Sequence, residues 1–309
     1  MATLGVALGL SDLHRHLDGS LRPATLRQLA AQQGVIVAEP FGFYTGMGLQ
    51  AALDCFRTTL AVLQSPAAVR QVAAEICEDA AQEGVTTLEI RFAPQLHGGA
   101  SLGAIVDAAL EGIGGRAGLV LCGLYGEPPE LLGQLVRAAQ TRPGVVGLDL
   151  AGAPAPGHRY RLADYADVFQ AAGQLGLGRT VHAGEGRPPA EIAVAIERLG
   201  AERIGHGCTV LHDPDVAALV VARGVTIEVN LTSNVHVGAI AAPAEHHLPQ
   251  WIDAGIRACV CTDNTLMSHT SAPAEWALAQ ALPGMTLAKL AHLRLCGHKA
   301  AFQRQATAD

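Results

Sequence analysis

The sequence predicts an α/β protein of the (β/α)8 TIM-barrel class, with extra helices inserted after the first strand. Two observations predict it: eight short β-rich runs recur along the chain, and Ala-, Leu- and Arg-rich stretches with helical spacing separate them. Strands that alternate with helices imply parallel strands joined by right-handed crossovers, and eight such units match a closed barrel. With 309 residues, half of them hydrophobic, the chain is long enough for one large core, so a single domain over 1–309 is expected.

The first run, SDLHRH (11–16), carries two histidines one residue apart. The segment that follows is too long for an ordinary crossover. It contains FGFYTGMGLQAALDCFRTTLAVLQ, in which Leu53, Phe56, Leu60 and Leu63 recur at three or four residues, so a helical, apolar lid over the barrel mouth is expected. The next runs are TTLEIRF (86–92), GLVLCGLY (118–125) and VVGLDLAG (145–152), the last leading into AGAPAPGHRY (151–160), a Pro- and Gly-rich βα loop. GRTVHAGE (178–185), RIGHG (203–207), TIEVNLTS (226–233) and IRACVCTD (256–263) complete the eight. Intervening stretches such as PAAVRQVAAEICEDAAQEG and PPAEIAVAIERLGA begin at Pro and end at or near Gly, the start and stop signals of helices.

The net charge of −7, from 21 basic and 28 acidic residues without a basic run, offers no footprint for nucleic acid or an anionic membrane. A small-molecule partner is favoured. The seven cysteines are scattered, with no C-x-x-C pair, and read as buried thiols in a reducing compartment. MATLGVALGL lacks the charged start and cleavage site of a secretory signal, and no apolar stretch nears the length of a membrane span, so a cytoplasmic protein is expected. The oligomeric state has no signature.

Barrel active sites lie at the C-terminal ends of the strands. The polar residues there are His14, His16, Asp149, His182, Glu185, His206, Asn230, Ser233, Asn234, Asp263 and Asn264. Strand alternation puts His14 and His16 on one face, about 7 Å apart along the chain, a spacing at which both imidazoles can bind one metal ion. An isolated H-x-H is more often a pair of separately hydrogen-bonded histidines. Here, however, closure of the barrel would bring strand eight beside strand one, so that His182 and Asp263 join the pair. The only lysines, Lys289 and Lys299, lie in the terminal helical region, so no middle-strand lysine is available to bridge a second ion. One metal is therefore expected, and zinc suits three histidines and an aspartate. Glu185 can stand beside the metal without binding it, and His206, between two glycines, can face the metal water. A metal, a proton donor and a water-orienting base are what hydrolytic attack on an aromatic ring requires.

LHRHLDGSLRPATL, EIRFAP, VVGLDLAG, TVHAGE, ERIGHG, EVNLTSNV and CTDN resemble, in order and spacing, the motifs of the adenosine deaminase family of metal-dependent amidohydrolases, from about residue 11 to residue 302. The resemblance implies one Zn2+ per chain held by His14, His16, His182 and Asp263. It also implies that Glu185 protonates the ring nitrogen beside the amino-bearing carbon, and that His206 and Asp263 orient and deprotonate the water. His16, Asp18, Gly184 and Asn264 would face the substrate, Asp18 at a sugar hydroxyl and the Gly184 N–H at the purine.

The chain departs from the family pattern at TDNT, where Asn264 replaces a frequent second aspartate, and after DLAG, where Ala153 and Pro154 replace a frequent acid. Neither departure removes a metal ligand. The reaction implied is deamination of adenosine and 2′-deoxyadenosine to inosine and 2′-deoxyinosine with release of ammonia. Another 6-aminopurine, adenine or aminodeoxyfutalosine, is the alternative. The aspartate of HLDGS favours the plain nucleoside, because those relatives tend to carry glutamate there. A catalytically silent nucleoside-binding barrel would tolerate loss of Glu185 or His206, and both are present.

Overall fold

The computed structural model of the protein describes residues 8–154 and 157–302. Most of the leader run (residues 1–7) and two residues of the Pro- and Gly-rich loop (155–156) lie outside the described residues. The chain runs β1 (Leu10–His16), α1 (Pro23–Gln33), α2 (Leu49–Val62), α3 (Pro66–Gln82), β2 (Val85–Phe92), α4 (Leu102–Ile113) and β3 (Gly118–Leu124). It continues through α5 (Pro129–Gln140), β4 (Val145–Ala151), α6 (Ala166–Gln174), β5 (Gly178–Ala183), α7 (Ala190–Glu197) and β6 (Arg203–His206). The last part comprises α8 (Pro214–Arg223), β7 (Thr226–Val229), α9 (Leu231–His236), α10 (Leu248–Asp253), β8 (Arg257–Val260), α11 (Ala272–Ala281) and α12 (Leu287–Ala300).

The eight strands pair in sequence order, all parallel. Two hydrogen bonds close the ring: His16 N–H donates to the Asp263 carbonyl and Asp263 N–H to the His14 carbonyl, each at 2.7 Å. The expected barrel is thus present, and its first and last strands meet at the two ends of the candidate ligand set. Apolar residues such as Ile90, Leu148, Val181 and Ile227 are fully buried between sheet and helices. The helices start where the sequence signals them: Pro66 opens α3, and the Ser65 hydroxyl accepts from Ala68 N–H.

Of the extra helices before β2, α2 covers the barrel mouth and α3 packs on β2 and α4 as an ordinary outer helix. No helix among the described residues is long and apolar enough to cross a membrane.

One expected element is wrong in its second half. The run TIEVNLTS stays extended only to Val229, and Leu231–His236 forms α9. The cause is tertiary. Glu275, on α11, accepts the otherwise free Thr232 N–H at 3.2 Å, satisfying the first turn of a helix that the β-branched composition alone does not favour. Strands β5 and β8 also stop short of the expected ends, at Ala183 and Val260; Gly184 turns the chain directly after β5 with φ of 72°, and Asp263, with φ of 63°, turns it three residues after β8.

Candidate active site

The end of β1 aims His14 and His16 into the barrel mouth, where β5 adds His182 and the turn after β8 adds Asp263. His16 Nε2 stands 3.3 Å from His182 Nε2 and 3.5 Å from Asp263 Oδ1, and His14 Nε2 is 3.4 Å from the same oxygen. The four expected ligands therefore converge. Close approach of the strands depends on Gly205, whose Cβ, if it had one, would lie 3.0 Å from the His14 ring.

The outer nitrogens fix the tautomers. His14 Nδ1 is 2.7 Å from Glu228 Oε2, and His182 Nδ1 is 3.1 Å from Asp149 Oδ1. An ionised carboxylate only accepts, so each Nδ1 carries the proton and each Nε2 presents a lone pair to the centre. Lone pairs that face one another cannot hydrogen-bond, and His14 Nε2 is buried without a hydrogen-bond partner among the described residues. Three imidazole nitrogens and a carboxylate oxygen aimed at one point fit a divalent cation that favours nitrogen ligands.

Burial pushes His16 well below the usual histidine range and His182 down to about 4. Burial also opposes ionisation of Asp263, but the surrounding histidines, His14 first, hold its carboxyl well below the ordinary value. Neutral His16 and His182 and an ionised Asp263 are in the protonation states that metal ligation needs, whereas at His14 burial and Arg91 act downward but the Asp263 and Glu228 carboxylates outweigh them and raise it above the usual histidine range.

Asp149 and Glu228 are joined by Arg91, which donates to Asp149 Oδ2 at 3.0 Å and to Glu228 Oε2 at 2.9 Å. Neither Arg91 nor Glu228 is among the residues that strand-end reasoning selects, because both sit inside their strands. The available signal is a charge within an apolar run, in LEIRF and TIEVN, since a buried charge is costly unless paired.

His206 follows with φ of 66°, and its Nδ1 lies 2.8 Å from Asn234 Oδ1. The amide oxygen accepts from Nδ1–H, leaving the Nε2 lone pair facing the site. Glu185 is buried beside it, and burial raises its carboxyl above the usual glutamate range. Asn234, selected by position alone in the sequence, thus supports His206; the amide nitrogen of Asn230 lies 3.3 Å from the same Nδ1, where two donors cannot pair.

His16, His182, Glu185, His206 and Asp263 form the floor of a cavity of about 560 Å³, walled on one side by Leu49, Leu53, Phe56 and Leu60 of α2. The Phe56 ring centroid lies 6.4 Å from that of His16. The lid stripe is therefore divided, since Leu63 is fully buried in the main core instead. Asp18 and Asn264 line the cavity, whereas Gly184 does not. Burial raises the Asp18 carboxyl to about 7, and its Oδ1 has no hydrogen-bond partner among the described residues. Asn264 is not a helix cap: α11 begins only at Ala272 and is capped by the Ser271 hydroxyl.

The family model for adenosine deaminase matches residues 10–308. The chain is 32% identical to the probable adenosine deaminase of Dictyostelium discoideum, over 87% of this chain but 37% of that longer protein. It is 34% identical to the adenosine deaminase of Enterococcus faecalis, over 86% of this chain and 83% of that one. The crystal structure of adenine deaminase from Arthrobacter aurescens superposes with a TM-score of 0.84 at 25% identity, covering 98% of this chain and 95% of the other. A barrel with this site, matched by the family model over nearly its whole length, belongs to the adenosine deaminase family.

Proposed function

We propose that the chain, acting as one catalytic domain, hydrolyses adenosine and 2′-deoxyadenosine to inosine and 2′-deoxyinosine, consuming one water and releasing one ammonia. The observation that carries the reading is the convergence of the His14, His16 and His182 Nε2 atoms and Asp263 beside the buried Glu185. His14, His16, His182 and Asp263 would hold one zinc ion, which when bound supplies Lewis-acid activation of a water molecule. His206, with Nδ1–H engaged by Asn234, offers Nε2 to take a proton from the attacking water. Glu185, favoured in its acid form by burial, gives a proton to the purine ring nitrogen beside the reacting carbon. Asp18 and Asn264 orient the substrate from the cavity wall, and the Gly184 N–H is assigned to the purine on family resemblance. A cytoplasmic location belongs to the same reading.

The cavity favours an uncharged nucleoside over a nucleotide. Among the described residues that line it there is no Lys or Arg, whereas Asp18, Glu127, Glu185 and Asp263 all contribute carboxyls. A phosphate dianion there would lose its hydration without gaining a cation. A free base would leave much of the volume unfilled.

The test is ammonia release from adenosine, adenine and adenosine monophosphate, before and after chelation. Adenosine is expected to be processed with the highest kcat/KM, in a chelator-sensitive way. No ammonia from adenosine with metal-loaded protein, or preference for the monophosphate, overturns the reading.

A further inference from the structure

Strand β2 supplies no atom to the convergent ligand set, yet its Arg91 is the group on which both histidine-orienting carboxylates meet. Its Nη1 donates to Asp149 Oδ2, and its Nη2 donates to Glu228 Oε2 and, at 2.5 Å, to the carbonyl of Leu13, the residue before His14. Arg91, Asp149, Glu228 and His14 are all fully buried. One planar guanidinium therefore touches β4, β7 and β1 at once, which a lysine ammonium cannot reproduce with a single nitrogen.

We propose that Arg91 is a positioning residue that sets the metal affinity of the site, by holding Asp149 and Glu228 in the orientations that present His182 and His14 to one ion. The proposal rests on the metal-dependent reading above.

The two arms are unequal. Glu228 has a second cation, since Arg203 Nε lies 2.6 Å from its Oε1, and it also accepts from Thr180 Oγ1 at 3.1 Å. Among the described residues, Asp149 is hydrogen-bonded otherwise only by His182 and, weakly, by the Cys122 thiol at 3.5 Å. Loss of Arg91 would therefore free Asp149, and with it the His182 ring, more than Glu228 and His14. Histidines whose outer N–H is not held lose metal affinity, by about 10- to 100-fold in comparable sites.

A purely structural role, in which Arg91 only neutralises buried carboxylates, makes a different prediction from positioning. Arg91→Lys keeps the charge and removes the fork. The measurements are zinc affinity by competition with a chromogenic chelator and thermal unfolding of the metal-free and zinc-loaded forms. The wild type is measured first, and failure to bind one zinc per chain counts against the metal reading rather than against Arg91. With that zinc bound, Arg91→Lys is expected to unfold near the wild-type temperature when metal-free, to bind zinc about 10- to 100-fold more weakly, and to gain less stability from zinc. Wild-type zinc affinity in the folded variant, with or without a lower metal-free melting temperature, overturns the proposal. If Arg91→Lys does not fold, Arg91→Met combined with Asp149→Asn removes one buried cation and one buried anion while leaving an oxygen for His182 Nδ1–H. The same weakening is expected there, and wild-type affinity overturns the proposal in the same way.

Discussion

Glu185 Oε1 lies 3.6 Å from His206 Nε2, just outside hydrogen-bond reach, so the two groups flank the centre of the site without sharing a proton directly. One can hold a proton while the other offers a lone pair. That separation of roles is what addition of water to an aromatic ring with concurrent ring protonation needs.

Replacing the acid tests the assignment directly. Glu185→Gln is expected to keep its metal and to lose roughly 10²- to 10⁴-fold in kcat. Because burial raises the Glu185 carboxyl, its acid form persists to higher pH than that of an ordinary glutamate. The wild-type rate should therefore fall as pH rises through that raised value, and the residual rate of the variant should lack this limb. Near-normal turnover with metal bound would reject Glu185 as the proton donor.

Asn264 offers a test of base recognition. Its Oδ1 packs against Gly19, where a Cβ would come within 1.8 Å, and is buried without a hydrogen-bond partner among the described residues. The amide nitrogen is then the end available to the cavity, and it donates at any ordinary pH, as a purine N7 requires. 7-Deazaadenosine, which lacks that acceptor, should be deaminated much more slowly than adenosine by the wild type. Asn264→Ala should narrow the difference. Equal preference in both proteins would remove Asn264 from base recognition.

A third expectation concerns stability. Burial raises the Glu275 carboxyl from 4.5 to about 7, although it accepts hydrogen bonds from Thr232 and Thr270. The folded state thus binds more protons than the unfolded chain between those two values, so this group's contribution falls as pH rises through the window and is level above it. At about 1.4 kcal/mol per pH unit, the loss is on the order of 3 kcal/mol. Glu275→Gln should flatten the dependence of melting temperature on pH between about 4.5 and 7 relative to the wild type. Parallel curves for the two proteins would show that Glu275 does not titrate in that window.

The sequence alone determined what depends on local spacing. Alternation along β1 puts His14 and His16 on one face, and the recurrence of strand and helix signals sets the barrel and the order of its elements. His182, Glu185, His206 and Asp263 were legible for the same reason, since each follows or ends a β-rich run and barrel chemistry sits at strand ends. The lid was half legible: periodicity marked α2 as one-sided, but which residues of the stripe reach the cavity depends on how the helix leans, and Leu63 turned into the core. Only the tertiary structure decided the rest. Arg91 and Glu228 are 137 positions apart, and no local pattern tells a buried charge which partner will compensate it. The turn that bears Asn234 is helical because Glu275 reaches it from 43 residues away. Both cases have one physical origin. Burying a charge or a free N–H requires a partner, and closure of the barrel, which sets which strands and helices adjoin, determines who that partner is.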